Sequence, residues 1–361
     1  MRLRILDRYI LGKFLTTFVF TVFTLTLVIC VIDYVEKNDD FIRTQPGIGK
    51  ILGVYYLNFF PYYANMLSPI TVFIATVFVT SRLAARTEIV AMLSGGVSFI
   101  RLLMPFAAGA VIVGTGIFFL TNFVIPRANQ NRVAFEVQYL KNPFVFSGRN
   151  VHIKTAPNTF AYLESYSNTA STGYNFTLET IINRKLVSKL RAERVIWQIK
   201  KDQWQCENYS IRTLDTAGRE NVKQGLALDT AFGITPEDFS NSYLLYETLT
   251  TPELNKFINV LQNRGADNLL PYLIEKYLRL TYPFAILILT LIGVILSARK
   301  SREGPGFQIA LGFLLAFVYI IFFIMSRSIA QAGSMPPLLA CWLPNIVFAC
   351  IGLVLFKTVP K

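Results

Sequence analysis

Long runs without a charged side chain constrain this chain of 361 residues more than any other feature. Residues 51–80 are thirty consecutive positions with no Asp, Glu, Lys or Arg. A helix needs about 20 apolar residues to cross a hydrocarbon core of roughly 30 Å. Three such runs precede residue 127 and three follow residue 279, which predicts three membrane helices, a polar insertion and three more helices. The other runs are 14–32, 102–126, 280–298, 304–326 and 337–356.

The basic residues predict how these helices are oriented. Short segments on one predicted side carry twelve Lys or Arg, and short loops on the other carry four. Because cytoplasmic loops are the richer in Lys and Arg, we expect both termini and the loops 81–101 and 299–303 in the cytoplasm, and the insertion outside. The twelve are Arg2, Arg4, Arg8, Lys13, Arg82, Arg86, Arg101, Arg299, Lys300, Arg302, Lys357 and Lys361. The four are Lys37, Arg43, Lys50 and Arg327.

The insertion, 127–249, has the pattern of short β-strands. Val195, Trp197 and Ile199 alternate with polar neighbours, and the same period resumes at Trp204 after a turn. Short strands with period-two patterning and regular turn signals are typical of a sandwich, jelly roll or open barrel. The predicted fold class is therefore a six-helix membrane protein, three plus three, with an inserted all-β, jelly-roll-like domain.

A helical connector, 250–276, leads from the insertion back to the membrane. Thr251 followed by Pro252 is typical of an N-cap and first helical position, and Gly265 of a helix end. The domain boundaries that follow are 1–126 for helices one to three with a cytoplasmic coupling helix at about 81–96, 127–249 for the β domain, 250–276 for the connector and 277–361 for helices four to six.

The composition gives little support to enzyme chemistry. The one histidine, His152, lies in a predicted strand, and Cys and His do not cluster at metal-ligand spacing. The chain has no Gly-x-x-x-x-Gly-Lys-Ser/Thr loop, which excludes ATP binding by that route, and no span carries paired Asp, Glu or His for a proton relay. We predict no catalytic residue, no metal and no cofactor.

The cytoplasmic segment 81–98 has the pattern of a short amphipathic helix. Its apolar positions share one face, while Arg82, Arg86 and Glu88 point towards water or a partner. Such a helix can lie on lipid, but Glu88 is unfavourable against an anionic membrane surface. We therefore favour a helix by which a permease docks into a separate ATPase.

Several segments together resemble the lipopolysaccharide-export permeases, the LptF and LptG subunits of the Lpt transporter. No single segment is decisive, but their order and spacing cover the whole chain, and the first leans towards the LptG type. Glu88 stands at the position of the family's ATPase-facing acid. The segments are 6–10 (LDRYI), 86–96 (RTEIVAMLSGG), 126–129 (PRAN), 186–189 (LVSK) with Trp197 and Trp204, 297–304 (SARKSREG) and 336–337 (PP).

The resemblance implies half of a transporter in the bacterial inner membrane. The implied partners are a second permease of the family, a cytoplasmic ABC ATPase dimer, a periplasmic bridge protein and lipopolysaccharide, with no nucleic acid. Helices one and five of the family line a lateral gate, which makes their aromatic and basic residues candidate lipid contacts. The lipid candidates are Phe18, Phe20, Phe23, Lys37, Phe313, Phe317, Phe322 and Arg327. The ATPase-coupling candidates are Arg82, Arg86, Glu88 and Leu93.

One departure from the family concerns charge. Family members often place a basic residue near the outer end of helix one, where residues 33–40 of this chain are acidic except for Lys37. Either the lipid carries less phosphate, or Lys37, Arg43 or the partner supplies positive charge. Two other functions stay open: a membrane scaffold whose β domain binds envelope proteins, and an ABC permease for another lipid, lipoprotein or peptide.

Overall fold

A computed structural model describes residues 5–141, 150–156, 158–168, 170–214, 219–239, 243–264, 269–298 and 305–357. The chain divides into two compact units. The helical unit comprises Met1–Leu140, Leu244–Leu254 and Leu270–Lys361, and the β unit comprises Lys141–Tyr243 and Asn255–Leu269. Three predicted features, the helix end at Gly265, the basic loop 299–303 and the basic ends at Arg2, Arg4 and Lys361, lie outside the described residues.

The helices in the described part of the chain are α1 Ile5–Thr44, α2 Ile48–Ala85, α3 Glu88–Ser94, α4 Phe99–Leu140, α5 Leu245–Thr248, α6 Thr251–Arg264, α7 Leu270–Ser297, α8 Pro305–Gln331 and α9 Pro337–Lys357. Six of these, α1, α2, α4, α7, α8 and α9, are long and apolar enough to cross a membrane. Three precede the strands along the chain and three follow them, which confirms the predicted three-plus-three layout.

Prolines and wide helical turns interrupt the spanning helices. Pro69 has no N–H to give to the carbonyl of Asn65, and the hydroxyl of Ser68 donates to that oxygen instead at 2.7 Å. π-helical stretches occur at Ile51–Tyr56 in α2 and Leu120–Val124 in α4. Irregular backbone at membrane depth is tolerated where protein groups satisfy the freed carbonyls, as Ser68 does here.

Helix α1 packs against α4 through an aromatic ring placed over a glycine. Phe14 is fully buried and meets Phe106 edge-on, with ring centroids 5.7 Å apart. A Cβ on Gly109 would lie 2.6 Å from the Phe14 ring, so a larger residue would push the two helices apart. Ile286 and Val294 of α7 belong to the same buried cluster, so α1, α4 and α7 share one core.

The strands in the described part of the β unit are β1 Val151–Ala156, β2 Thr159–Leu163, β3 Ser165–Ser167, β4 Thr172–Ile182, β5 Lys185–Gln198, β6 Gln203–Leu214 and β7 Glu220–Thr230. They form one antiparallel sheet in the order β1-β2-β4-β5-β6-β7, and β3 pairs with β4. Trp197 pairs with Trp204 across the predicted turn between β5 and β6. The predicted fold class, spanning helices with an inserted all-β domain, is confirmed.

One face of this sheet is covered by the chain that follows β7. Trp204 is 2 % exposed, and its Nε1 donates to the carbonyl of Ile234 at 2.7 Å. Phe232 packs on Phe176 of β4 with ring centroids 4.5 Å apart. The buried indole N–H therefore has the partner that an apolar core requires, and this contact fixes the covering segment on the sheet.

The connector helix α6 begins one residue earlier than a Thr251 N-cap predicts. Its first helical residue is Thr251, and the carboxylate of Glu253 accepts from the backbone N–H of Thr250 at 2.8 Å, as in a capping box. The hydroxyl of Thr251 is engaged elsewhere, because it donates to Asn122 of α4 and accepts from Arg279 of α7. Tertiary contacts thus moved the helix start.

We predict that Cys206 resists thiol reagents. Burial raises the pKa of its thiol to about 12, with a further rise from Asp229, and the thiolate is the reactive form. At pH 8, maleimide should label Cys206 roughly a hundredfold more slowly than a cysteine introduced by Lys223→Cys on the exposed surface of β7, as read by peptide mass spectrometry. Equal labelling would contradict the packing of Cys206 into the core.

Candidate functional site

The C-terminal end of α1 carries a buried carboxylate that is bound to α2. Asp33 is 8 % exposed, and Nζ of Lys37, one turn later, lies 2.7 Å from its Oδ1. The hydroxyls of Tyr55 and Tyr56 donate to Oδ2 of Asp33 at 3.0 and 3.2 Å. Lys37 also donates to the Tyr55 hydroxyl, and its ammonium lies 5.8 Å from the ring centroid of Phe59. Asp33 and Lys37 neutralise each other among aromatic side chains, and their bonds to Tyr55 and Tyr56 join α1 to α2.

This network bears on the acidic stretch 33–40. Lys37, predicted to contact lipid, is the counter-ion of Asp33. Arg43 lies 2.9 Å from Asp40, in a pair that is largely exposed. Two acids of the stretch therefore have basic partners within α1 itself, so part of the expected repulsion of a phosphate is removed inside this chain.

A cavity of about 330 Å³ lies among α2, α7 and α8. Its walls are mainly apolar, with Met66 and Ile70 on α2 and Phe323 and Ile324 on α8. Arg327 also lines it, and the buried Nε of this guanidinium has no hydrogen-bond partner among the described residues. A buried donor without a partner is costly, and a carboxylate or phosphate is the group that best satisfies a guanidinium. The cavity can therefore take an apolar chain with an anionic group at one end.

The aromatic lipid candidates lie elsewhere on the helices. Among the described residues that line the cavity, Arg327 is the one that the sequence predicted. Phe18 and Phe322 are half-buried against the helical cores. The other four are more than half exposed, which suits contact with lipid or with another chain, and they are Phe20, Phe23, Phe313 and Phe317.

The segment 81–96 is a helix end, a bend and a short helix. Helix α2 continues through its first five residues, and Thr87 then adopts a left-handed conformation with φ 61°, which a right-handed helix cannot continue. Helix α3, Glu88–Ser94, follows. Ile89 is buried in the core and Leu93 is 41 % exposed, so α3 presents part of its apolar surface outward.

Glu88 at the start of α3 faces α1. The hydroxyl of Tyr9 donates to its Oε2 at 3.0 Å, and Nζ of Lys13 lies 4.0 Å from Oε1. A cavity of about 230 Å³ beside it is lined by Lys13, Arg82, Arg86 and Glu88 among others. The structure therefore brings three of the four predicted coupling residues together and adds Tyr9 and Lys13, two contacts that the sequence pattern did not predict.

The sequence pattern also missed a buried ion pair between α4 and α5. Nη2 of Arg132 lies 2.5 Å from Oε2 of Glu247, and neither side chain is more than 6 % exposed. Burial raises the pKa of the Glu247 carboxyl above its usual value, and the Arg132 charge opposes that rise. Arg132 and Glu136 stand four residues apart just beyond an apolar run, a spacing that predicts one helical face and could have signalled the site.

We predict that Lys37→Met destabilises the protein, because it leaves the Asp33 carboxylate buried with only tyrosine donors. The expected cost is roughly 1–3 kcal/mol, seen as a lower melting temperature of the detergent-solubilised protein. Arg43→Met is the matched control, because it removes a mostly exposed charge from the same helix. Equal melting temperatures for the two variants would show that the Asp33 network contributes nothing.

Comparison with known proteins identifies the family of this chain. The family model described as lipopolysaccharide export system permease LptF/LptG matches residues 8–358. The chain is 21 % identical over 359 residues to lipopolysaccharide export system permease protein LptG of Escherichia coli strain K12, a match that covers 97 % of both chains. LptG of Escherichia coli O6:H1 strain CFT073 matches with the same identity and coverage. Because the family match spans nearly the whole chain, this protein belongs to the LptF/LptG family of lipopolysaccharide export permeases.

Proposed function

We propose that this chain is one permease half of an ABC transporter that extracts lipopolysaccharide from the outer leaflet of the bacterial inner membrane. It passes the lipid to a periplasmic bridge protein, and a separate cytoplasmic ATPase dimer drives the cycle. The observation that carries the proposal is Arg327, whose buried Nε lacks a partner in an apolar cavity between spanning helices. The family match and the LptG relatives support the same function.

The cavity has the chemistry of an amphiphile site. Its aliphatic and aromatic walls favour an acyl chain through burial of apolar surface. The Arg327 guanidinium can bind a phosphate or carboxylate through two parallel N–H···O contacts. At about 330 Å³ the cavity holds part of one chain and not a whole glycolipid, so the rest of the lipid lies against neighbouring surfaces.

A second permease of the same family supplies those surfaces. In the most apolar stretch of α1 6 % of the residues are buried, whereas in that of α2 67 % are buried. Helix α1 thus offers a long apolar surface to lipid or to another chain, and Phe20 and Phe23 lie on it. Asp33 and Lys37 neutralise each other, so we assign further positive charge for the lipid phosphates to the partner permease.

The α3 region is the docking site for the ATPase. Leu93 gives it exposed apolar surface, and Arg82, Arg86 and Glu88 give it charge beside that surface. Because Tyr9 and Lys13 bind Glu88, a force on α3 reaches α1 directly. Both termini and α3 lie in the cytoplasm in this assignment, and the β unit lies in the periplasm.

The experiment that tests this function is a tagged pull-down from native membranes, with mass spectrometry of the proteins and lipids. We expect an ABC ATPase, a second six-helix permease and lipopolysaccharide. Envelope proteins without an ATPase would replace the proposal with a scaffold. Recovery of an ATPase together with a lipoprotein would support an ABC transporter whose cargo is a lipoprotein instead of lipopolysaccharide.

We predict that Arg327→Gln weakens lipid retention in the cavity. Loss of a charge-assisted contact should reduce co-purified lipopolysaccharide roughly tenfold or more. Arg194→Gln on the surface of the β unit removes the same charge from an exposed pair and should retain wild-type lipid. Lipid quantified per protein by mass spectrometry gives the readout, and equal retention in both variants removes Arg327 from the site.

We predict that Glu88→Lys abolishes co-purification of the ATPase while membrane insertion stays intact. The new ammonium reverses the charge at the start of α3 and repels Lys13. Tyr9→Phe is the matched control, because it removes the hydrogen bond from α1 and leaves the carboxylate available to the ATPase. Normal ATPase yield with Glu88→Lys would exclude Glu88 from docking.

A further inference from the structure

Four successive backbone carbonyls in the segment 246–249 are each held by a side chain of a spanning helix. The donors are Asn129 and Gln130 of α4 and Arg279 of α7, which donates twice. The four N···O distances lie between 2.9 and 3.2 Å. Arg279 donates to Tyr246 and Leu249, Asn129 to Glu247, and Gln130 to Thr248.

The side chain of Glu247, like its backbone carbonyl, is hydrogen-bonded to spanning helices. Arg132 of α4 and Tyr62 of α2 donate to its two carboxylate oxygens at 2.5 and 2.9 Å. The Arg132 guanidinium lies 4.5 Å from the ring centroid of Tyr62, and its Nε donates to Oδ1 of Asn129 at 3.2 Å. Three spanning helices therefore contact one short segment. We call Asn129, Gln130, Arg132 and Arg279 the clamp.

A loop that returns to a helical bundle normally leaves such carbonyls to water. Here two of the carbonyls bind Arg279 and the Glu247 carboxylate binds Arg132, and both arginines are 3 % exposed. Burial of charge costs free energy that a well-packed apolar group would avoid, so stability alone does not account for this arrangement. What the clamp provides is a fixed position for the segment relative to α4 and α7.

The segment 246–249 lies where the chain returns from the β unit to the helical unit. Among the described residues, α4 is the last helix before the strands of the β unit, and residues 244–251 are the first part of the helical unit after those strands. Asn129, Gln130 and Arg132 lie near the end of α4. The outgoing and the returning connection of the β unit are therefore fastened to each other and to α7.

We propose that the clamp residues are positioning residues that make the two connections of the β unit move together with α4 and α7. The inference rests on the proposed function, because it assigns to the clamp the step in which helix movement driven by the ATPase moves lipid onward to the β unit. When the clamp is intact, a movement of α4 and α7 moves both connections of the β unit at once. Without the clamp, the returning connection no longer moves with these helices.

The test uses the reconstituted complex of both permeases and the ATPase in proteoliposomes with purified lipopolysaccharide. A photo-crosslinker at Ile324 reports lipid in the cavity, and one at Trp197 reports lipid in the β unit. Gln130→Ala combined with Arg279→Gln removes three of the four carbonyl bonds. Arg127→Met is the matched control, since it removes an exposed arginine from α4.

The clamp variant should hydrolyse ATP and fill the cavity within about twofold of the wild type. Its ATP-dependent crosslinking at Trp197 should fall about fivefold or more, while the control keeps the wild-type value. A merely structural role would lower all three readouts in parallel, and that result, or an unchanged Trp197 signal, overturns the proposal. If the wild type itself shows no ATP-dependent signal at Trp197, the proposed function has failed, whatever the variants do.

A second variant covers the case in which the first does not assemble. Arg132 also lies 3.5 Å from Glu136, so Arg132, Glu136 and Glu247 form a buried group of three charges. Arg132→Met with Glu136→Gln and Glu247→Gln removes all three charges at similar volume, so no carboxylate is left buried without a counter-charge. It leaves the four carbonyl bonds in place. The same loss of Trp197 crosslinking with normal hydrolysis supports the proposal, and a wild-type signal overturns the role of Arg132.

Discussion

A charged side chain that is buried among the helices is cut off from water, so it needs a partner supplied by the protein. Asp7 of α1 lies 2.5 Å from Arg101 of α4. Asp33 binds Lys37 and the tyrosines of α2, and Arg132 binds Glu247. These contacts join different helices, so the need to satisfy charge also decides which helices stay together.

Helix α1 shows what this constraint does to a single element. Near its start, Asp7 connects it to α4, and near its end, Asp33 connects it to α2. Between these points Phe14 sits over Gly109, and the residues beyond Phe18 turn largely outward. A helix that is held near both ends and exposed along its middle can present apolar surface to a lipid without leaving the bundle.

Arg327 departs from the pattern of satisfied charge. Its Nε is buried without a hydrogen-bond partner among the described residues, and the space beside it is apolar. The guanidinium groups of the clamp arginines bind carbonyls and carboxylates of the chain itself. The Nε of Arg327 can instead bind an anionic group of a ligand. The same physical rule that fixes the connections of the β unit thus marks the candidate lipid site.

The sequence by itself determined the six spans, the inserted strands and the family, because apolar runs and period-two alternation are local patterns that the solvent imposes directly. It also predicted Glu88 and Arg327 as residues of interest. It did not show that Lys37 is the counter-ion of Asp33, that Glu88 faces Tyr9, or that Arg132 binds Glu247, 115 residues away. Only the tertiary structure decided those partners, because a buried charge pairs with whichever group packing brings within reach. Local sequence patterns do not predict which distant residues pack beside each other.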